Sequence, residues 1–350
     1  MYLFLFRLSI NKKINALYLH LFIMIESITE IYYLLEEALE LSLSYFVNTE
    51  KRIHILYLLT SSILAYYVYK KSRVKTSFIK YLFPKKIWVS KSAFVDYSLF
   101  CFNSLIKIVF IGPYIIVGFY IAFYTNEWLL GIFGFPSYSL GVMQTIILYT
   151  ISLTIISDFA TYIIHLLMHK VPFLWEFHKI HHSATSLNPI TQYRIHPIEL
   201  VINNTKSILV FGLVTGLFDY LSSHSVDKML FLGANVFHFV FLLFGANLRH
   251  SHVKLKYPKY LEFIFISPFQ HQIHHSSNPV HFNKNMGSKF AIWDWLFGTL
   301  VLSKNIKRLR FGIGDENSNY NSLYKSIVTP LMNIYYSLVK AIFHAKKKNN

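Results

Sequence analysis

Three histidine clusters constrain the fold of this chain more than any other feature of its sequence. They read His165-Leu-Leu-Met-His169, His178-Lys-Ile-His181-His182 and His271-Gln-Ile-His274-His275, and 14 of the 17 histidines lie between His165 and His281. On a helix, spacings of three and four residues place side chains on one face. Such spacings are typical of paired-histidine metal motifs. We therefore expect a fold that brings several helical segments together around metal ions.

The composition indicates an integral membrane protein. Of the 350 residues, 54% are hydrophobic and 18% aromatic, while only 15% are charged. The formal net charge of +17 lies in short basic runs beside apolar stretches. This pattern is typical of cytoplasmic loops in contact with anionic lipid, so we expect no nucleic-acid partner. The single cysteine, Cys101, excludes an intramolecular disulfide, a thiolate zinc site and an iron–sulfur cluster.

Five apolar stretches are candidate membrane helices. They lie at Ile53–Tyr69, Leu99–Tyr124, Val142–Ile164, Leu200–Leu221 and Met229–Leu248.

Charge bias predicts the orientation of these spans. The loop between Lys70 and Lys91 carries eight basic residues and no acidic one, so we expect it to face the cytosol. Counting crossings from that loop places all three histidine clusters on the cytosolic face of a multi-pass protein. The turns at 126–138 and 222–227 then lie on the opposite side. The membrane would be the endoplasmic reticulum in a eukaryote and the inner membrane in a bacterium.

The N-terminal stretch from Tyr2 to Met24 is apolar but is broken by Arg7, Lys12 and Lys13. A membrane span, an interfacial helix, a weak signal segment and a start site at Met24 are all open interpretations. We predict three regions. Residues 1–92 form a membrane-associated region with one transmembrane helix and a basic cytosolic loop, 93–302 form the catalytic domain, and 303–350 form a basic cytosolic tail.

The number of histidines indicates two metal ions. The clusters contain eight histidines and His250 makes nine, whereas one zinc ion is usually satisfied by four ligands. Neutral imidazole suits iron, zinc, copper and nickel, so the ligand type does not choose among them. The position beside apolar helices, where a lipid chain could reach an oxygen-activating centre, favours iron. A structural pair of zinc ions stays open as an alternative.

A single histidine follows a predicted hairpin between the second and third clusters, and the third cluster is followed by Trp293-Asp294-Trp295-Leu296-Phe297-Gly298-Thr299. This order of elements resembles the fatty acid hydroxylase and sterol desaturase superfamily. The resemblance covers roughly Ser157 to Leu302. It implies an all-α integral membrane protein in which two transmembrane helix hairpins carry a cytosolic helical cap that holds a histidine-rich di-metal site. It also implies two Fe2+ ions, with zinc as a substitute, and the O2-dependent hydroxylation or desaturation of a lipid.

Carried over by position, the resemblance gives nine metal ligands. They are His165, His169, His178, His181, His182, His250, His271, His274 and His275. Two further histidines are less certain ligands. His252 competes with His250 in Arg249-His250-Ser251-His252, and His238 lies inside a predicted span, where a polar group is costly and often functional.

Three other residues are candidates for supporting the ligands. Asp158 lies two helical turns before His165 on the same face, where its carboxylate could orient a ligand imidazole. The resemblance gives Asp294 the same orienting role, and a helix-capping role is the alternative for both. His196 resembles a His-Pro element of the family and is expected to support the site rather than bind metal. Glu176 and Glu199 are weaker candidates of this kind.

Electrons must come from outside the chain, because neither a Gly-x-Gly-x-x-Gly fingerprint nor a His-Pro-Gly-Gly element of the fused cytochrome b5 type is present. We expect cytochrome b5 or a ferredoxin with its reductase, or a tetrahydropterin. Basic cytosolic loops could dock an acidic carrier protein.

Rival classes fit less well. A zinc protease would show His-Glu-x-x-His, a transporter would place its ligands near the membrane centre, and a haem protein would need few histidines. The main alternative is a histidine-rich membrane protein that binds or transports metal without redox catalysis. Among sterols, fatty acyl chains and ether lipids, the spacing of the first cluster favours the sterol desaturase and alkylglycerol monooxygenase side of the family.

Overall fold

The computed structural model describes residues 26–222, 230–231 and 234–348. The stretch from Tyr2 to Met24, and most of the turn predicted at 222–227, lie outside these ranges. The described chain is helical except for one small antiparallel ribbon, in which β1 (Leu230–Phe231) pairs with β2 (Ala234–Asn235).

Thirteen α-helical segments occur in the described ranges. They are α1 (26–44), α2 (Ile55–Ser72), α3 (Phe78–Leu82), α4 (Lys85–Trp88), α5 (Lys91–Ile106), α6 (Ile115–Phe133), α7 (Val142–Lys170), α8 (Pro172–His182), α9 (Pro197–Leu221), α10 (Val236–Leu243), α11 (Pro268–His274), α12 (Ile292–Leu296) and α13 (Leu323–Lys348). A π-helical segment, Lys107–Ile111, and a 3₁₀ segment, Gly112–Tyr114, join α5 to α6. Further 3₁₀ segments are Pro189–Tyr193, Ala246–His250, Leu261–Phe263, Pro279–His281 and Gly314–Tyr320.

Four helical stretches in the described ranges are long and apolar enough to cross a membrane. They are Lys91–Phe133, Val142–Lys170, Pro197–Leu221 and Leu323–Phe343. The first three contain the predicted spans 99–124, 142–164 and 200–221. Helix α2, at the predicted span 53–69, is not among the four, and its sequence contains Thr60-Ser61-Ser62 and ends in two lysines and a serine.

Helices α6, α7 and α9 pack side by side. Helix α6 ends before Gly134, which has a φ of +68°, and the chain returns through 134–141 into α7. Helix α9 approaches α6 so closely that a Cβ atom on Gly216 would lie 2.4 Å from the Ala122 carbonyl oxygen. Small residues at such positions let the backbones of membrane helices approach. Helix α9 thus packs against α6 and also contacts α7, and the turn between α6 and α7 lies at 134–141, later than the predicted 126–138. The two-hairpin arrangement stays a prediction.

The second hairpin differs from the prediction. The region 229–248 was expected to be a membrane helix, but its described part contains the ribbon and α10, which has only eight residues. Eight residues extend a helix by about 12 Å, and a span needs about 20 residues. The chain nevertheless returns along α7. Ser222 pairs with Leu140 at one end, Asn235 contacts Thr154 midway, and His250 reaches the histidine-rich end.

Helices α5, α8 and α11, with the 3₁₀ segments Pro189–Tyr193 and Ala246–His250, form a cap over the C-terminal end of α7. Asp96 of α5 and Arg194 form a buried salt bridge of 3.0 Å, and Arg194 also donates to the carbonyl oxygens of Ile180 and Tyr320. The basic tail predicted at 303–350 contains a helix that the sequence did not predict, α13, which packs on α8 through a hydrogen bond between Asn333 and Glu176. The domain boundaries at 92 and 302 stay predictions.

Candidate metal centre

All nine histidines that the sequence singled out as ligands converge at the cap, and they form two groups. In each group, the candidate ligand nitrogens lie within 4.8 Å of one another. The first group is His165, His169, His178, His182 and His274, and the second is His181, His250, His271 and His275.

The groups do not follow the sequence clusters, because two helices contribute to both. Helix α8 presents His178 and His182, four residues apart on one face, to the first group and His181 to the second. Helix α11 and the residue after it divide in the same way, with His274 in the first group and the two other histidines in the second. Helix α7 contributes only to the first group, and the 3₁₀ segment Ala246–His250 only to the second. Each group therefore requires three different segments.

Within each group the Nε2 atoms point at one another. In the first group, the Nε2 atom of His178 lies 3.2 Å from that of His165 and 3.3 Å from that of His182. In the second group, the Nε2 atom of His250 lies 3.0 Å from that of His275 and 3.1 Å from that of His271. Two imidazoles on one tetrahedral ion, each about 2.05 Å from the metal, would have nitrogens roughly 3.3 Å apart.

The hydrogen bonds of the outer nitrogens fix the tautomers. The Nδ1 atom of His165 lies 2.7 Å from the Met286 carbonyl oxygen, and that of His178 lies 2.9 Å from a Glu199 carboxylate oxygen. Both partners are acceptors, so in a neutral ring the proton sits on Nδ1 and Nε2 carries a lone pair. The two Nε2 lone pairs then face each other at 3.2 Å. This contact is repulsive unless a cation lies between them.

Two other histidines of the first group also have an Nε2 atom that lacks a partner and could bind a cation. The Nδ1 atom of His274 donates to the Lys284 carbonyl oxygen over 2.9 Å. The buried Nε2 atoms of His274 and His169 have no hydrogen-bond partner in the described structure. Buried polar atoms without partners are rare and costly. The donor set therefore fits a bound metal ion, and the histidine clusters could bind metal.

Burial keeps three of the ligand imidazoles neutral. It lowers the pKa of His181, His250 and His275 well below 6.5, and the neighbouring histidines lower these pKa values further. The rings are therefore uncharged at pH 7, which is the form that binds metal.

Glu199 is the carboxylate that contacts a candidate ligand directly. Its side chain is buried, and its Oε1 atom accepts the His178 Nδ1 proton. Such carboxylate–histidine pairs fix the orientation of the ring and increase its basicity. The sequence marked Glu199 only as a weak candidate, although its position two residues after His196-Pro197 at the start of α9 was a usable signal.

Asp294 supports the site through the backbone. Its carboxylate accepts hydrogen bonds from the backbone N–H groups of Met286 and Gly287 at 2.7 and 2.8 Å and from the Thr299 hydroxyl at 2.6 Å. These bonds hold the loop whose Met286 carbonyl accepts from His165. The carbonyl oxygens of Met286 and Lys284 were not predictable, because every residue has one.

Asp158 does not orient an imidazole, contrary to the expectation. Its carboxylate accepts from the backbone N–H groups of Lys289 and Phe290 and from the indole N–H of Trp293, at 2.9 to 3.1 Å. Two helical turns separate it from His165, a rise of roughly 10 Å, which is too far for a hydrogen bond. Asp158 instead ties α7 to the segment before α12.

The remaining candidate histidines lie outside both groups. His196 accepts from the Ile198 N–H and donates to the Ile327 carbonyl oxygen, so it caps the start of α9 and contacts α13. His252 donates to the Tyr81 carbonyl oxygen at 2.7 Å, and His238 lies 3.3 Å from the Glu50 carbonyl oxygen. Of the pair His250 and His252, the structure thus places His250 among the candidate ligands.

Two cavities adjoin the cap. One of about 370 Å³ is lined by His165, His178, His181, His250 and His271, and it also borders α5, α7 and α9. A second, of about 550 Å³, is almost entirely apolar. Phe100 lines both cavities.

These features define a membrane-associated helical domain with a buried, histidine-rich candidate metal site, and the sequence of this domain identifies its family. Residues 150–299 match the family described as Fatty acid hydroxylase. Residues 150–299 thus form a fatty acid hydroxylase domain, the family that the histidine pattern predicted.

The chain is similar to several lipid-oxidising proteins. It is 28% identical over 167 residues to alkylglycerol monooxygenase of Caenorhabditis elegans, covering 48% of this chain and 30% of the relative. It is 33% identical over 145 residues to the ornithine lipid hydroxylase OlsE of Rhizobium tropici, covering 41% and 39%. It is 30% identical over 146 residues to human cholesterol 25-hydroxylase, covering 41% and 47%. The chain thus spans less than half the length of these relatives, and no solved structure matches it.

Proposed function

We propose that this protein is a membrane di-iron oxygenase that hydroxylates a lipid, using dioxygen and electrons from a separate donor. The observation that carries the proposal is the pair of buried imidazole groups whose Nε2 lone pairs converge at 3.0 to 3.3 Å. A family of lipid oxygenases supplies the reaction class.

The two histidine groups would each hold one iron ion. The first group offers five imidazoles and the second four, with no carboxylate among them. Bound iron would supply the activation of dioxygen needed to oxidise an unactivated lipid carbon, which side chains alone do not provide. The protein positions the neutral rings, and Glu199 and the Met286 carbonyl fix the orientations of His178 and His165.

The cavities give a lipid a place beside the metal site. The apolar cavity suits a hydrocarbon chain, and it lies against α2, α4 and α5 next to Phe100. The smaller cavity reaches the histidines themselves. A lipid chain that passes Phe100 would present a carbon to the site while its bulk excludes water.

The relatives support hydroxylation over desaturation. Their names describe monooxygenation of alkylglycerols and hydroxylation of an ornithine lipid and of cholesterol. They differ in lipid, so the substrate proposed here is a lipid of the sterol, fatty acyl or ether class. Zinc could replace iron in the same ligands without supporting the reaction.

The cellular arrangement follows from the charge pattern. We place the histidine groups on the cytosolic face, in the endoplasmic reticulum or a bacterial inner membrane, with 93–302 as the catalytic domain. Electrons would come from cytochrome b5, a ferredoxin with its reductase, or a tetrahydropterin. The basic segment from Lys70 to Lys91 is a candidate surface for an acidic carrier protein.

The test is expression of the full chain in a host, followed by lipidomics with labelled dioxygen. We expect a lipid that gains one labelled oxygen atom, and we expect His274→Ala to abolish it. His252→Gln, in a histidine outside both groups, is the matched control and should keep the product. If the chain binds metal but the host contains no oxidised lipid, the result would favour the alternative, a metal-binding or transport protein without redox catalysis.

A further inference from the structure

Four basic side chains line the cavity beside the histidine groups. They are Lys51, Arg52, Lys107 and Arg249. The acidic side chains of the lining are Glu50 and Glu199, and Glu199 is engaged with His178. The imidazoles contribute no negative charge. The wall of this cavity is therefore positive.

None of these four cations forms an ion pair within the described ranges. Arg52 donates only to the Ser288 hydroxyl, over 3.4 Å. Arg249 is 1% exposed, and its Nε atom has no hydrogen-bond partner. Buried charges are normally paired. Arg249 does donate to the Gly287 carbonyl oxygen, and Asp158 acts electrostatically on both arginines from beyond ion-pair distance. Among the described residues, the four cations thus lack a direct ion-pair partner, and an anion inside the cavity would supply one.

Two of the cations lie on one aromatic ring. The ammonium group of Lys107 is 4.9 Å from the centre of the Tyr45 ring and that of Lys51 is 5.1 Å from it. Lys107 also donates to the Tyr45 hydroxyl. An anion beside these two ammonium groups would be attracted by both.

The position of Lys107 in its helix is also unusual. It lies inside the stretch Lys91–Phe133, which is long and apolar enough to cross a membrane. It is also the first residue of the π-helical segment Lys107–Ile111. An ionisable residue in a membrane helix is costly and typically functional, and π-helical turns often occur at functional sites.

Further positive charge lies just behind this wall. Lys206 of α9 donates to the hydroxyl of Thr161, which lines the cavity. Burial lowers the pKa of Lys289, and the charges of Arg52 and Arg249 lower it further, whereas Asp158 opposes this effect. The cations around the cavity are thus close enough to destabilise one another.

From this arrangement we infer that the cavity binds the anionic group, a phosphate or a carboxylate, of an amphiphilic substrate through Lys51, Arg52 and Lys107. The inference rests on the proposed function and narrows its substrate class. The guanidinium fork of Arg52 and two ammonium groups match the oxygens of such an anion. Because the same cavity is lined by candidate ligands such as His165 and His178, the oxidised carbon lies near the anionic group, and the chain extends past Phe100 into the apolar cavity.

The test is a binding measurement on the purified full chain in a non-ionic detergent, without reductant or dioxygen. The probes are a single-chain lysophosphatidic acid, the neutral alkylglycerol with the same chain, and inorganic phosphate. We expect the lysophosphatidic acid to bind at least about tenfold more tightly than either of the others, because hydrogen bonds to a charged group add affinity.

Variants then assign the binding residues. Arg52→Gln and Lys51→Gln should each weaken the binding of lysophosphatidic acid by roughly tenfold and leave the affinity for the alkylglycerol unchanged. Lys304→Gln, which removes an exposed lysine between α12 and α13, is the charge-matched control and should change neither affinity. Lys107→Arg keeps the charge and should retain binding.

Three results would overturn the inference. They are equal affinity for the neutral lipid, unchanged binding in both Arg52→Gln and Lys51→Gln, and inorganic phosphate binding as tightly as the amphiphile, which would indicate a site for a free anion. The binding assay needs no turnover, so its result is independent of the oxidation assay. If the protein oxidises a neutral lipid but does not bind the anionic one, only this inference fails. Anion binding without oxidation of any lipid would defeat only the proposed function.

Discussion

The Nε2 atoms of His165 and His178 lie 3.2 Å apart, and both rings turn their Nδ1 atoms to hydrogen-bond acceptors. Each ring thus offers an unprotonated nitrogen to the same point in the protein interior. The sequence could indicate that these histidines bind metal, but only the structure gives the tautomers. This relationship links the fold to the chemistry, because α7 and α8 must meet at their ends to produce it.

Glu199→Gln should weaken metal binding at the first group. The carboxylate holds the His178 Nδ1 proton, and loss of such a partner typically costs about 10- to 100-fold in metal affinity. Competition with a chelator of known affinity measures the change. Glu127→Gln, at an exposed position in α6, is the control and should bind metal normally. Equal affinities for both variants would show that Glu199 does not orient the ligand.

Asp158→Asn and Asp294→Asn should separate stability from metal binding. Both carboxylates are buried and accept backbone hydrogen bonds, so each change should cost about 1 to 3 kcal/mol of unfolding free energy. Only Asp294→Asn should also lower metal affinity, since its loop positions the His165 partner. Denaturant titration and metal titration on the same samples test this. Comparable loss of metal in Asp158→Asn would restore the role that the sequence suggested for Asp158.

Gly216→Ala should push α6 and α9 apart. The added Cβ would meet the Ala122 backbone at 2.4 Å, so we expect a destabilisation of about 1 to 3 kcal/mol and a lower thermal midpoint. A Cβ on Gly131 of the same α6 helix meets nothing within 4 Å, so Gly131→Ala should be neutral or slightly stabilising. Equal midpoints for the two variants would argue against the close approach of α6 and α9.

Removing the metal should destabilise the cap more than the membrane helices. Ions that bind only the folded state add stability, so extraction with a chelator should lower the thermal midpoint. Hydrogen exchange should increase first in α8 and α11, which together with His275 hold six of the nine ligand candidates. Unchanged exchange after complete extraction would mean that the histidines are held together without ions.

The sequence predicted the candidate ligands better than the elements that carry them. The nine histidines were identifiable because their spacing and order are specific. Their division into two groups was not predictable, because His178 and His181 share a cluster but face different groups. The stretches 142–164 and 200–221, predicted from hydropathy, are helical and lie within two of the candidate membrane spans.

Two errors have a clear physical origin. The stretch 229–248 is apolar on average, but its described part is interrupted by the ribbon and by Gly245, which has a φ of +85° after α10, so it does not form one helix. Asp158 shares a helical face with His165, but the sequence could not show that the backbone of Lys289 and Phe290 would reach it first. Tertiary contacts decided both cases.

Metal analysis of the purified full chain tests the central claim most directly. The same analysis is made on His169→Ala, which removes a candidate ligand from the first group, and on His271→Ala, which removes one from the second. We predict two iron ions per chain in the unmodified protein and about one in each variant. A single ion, no ion, or two ions retained in both variants would contradict the two-iron site.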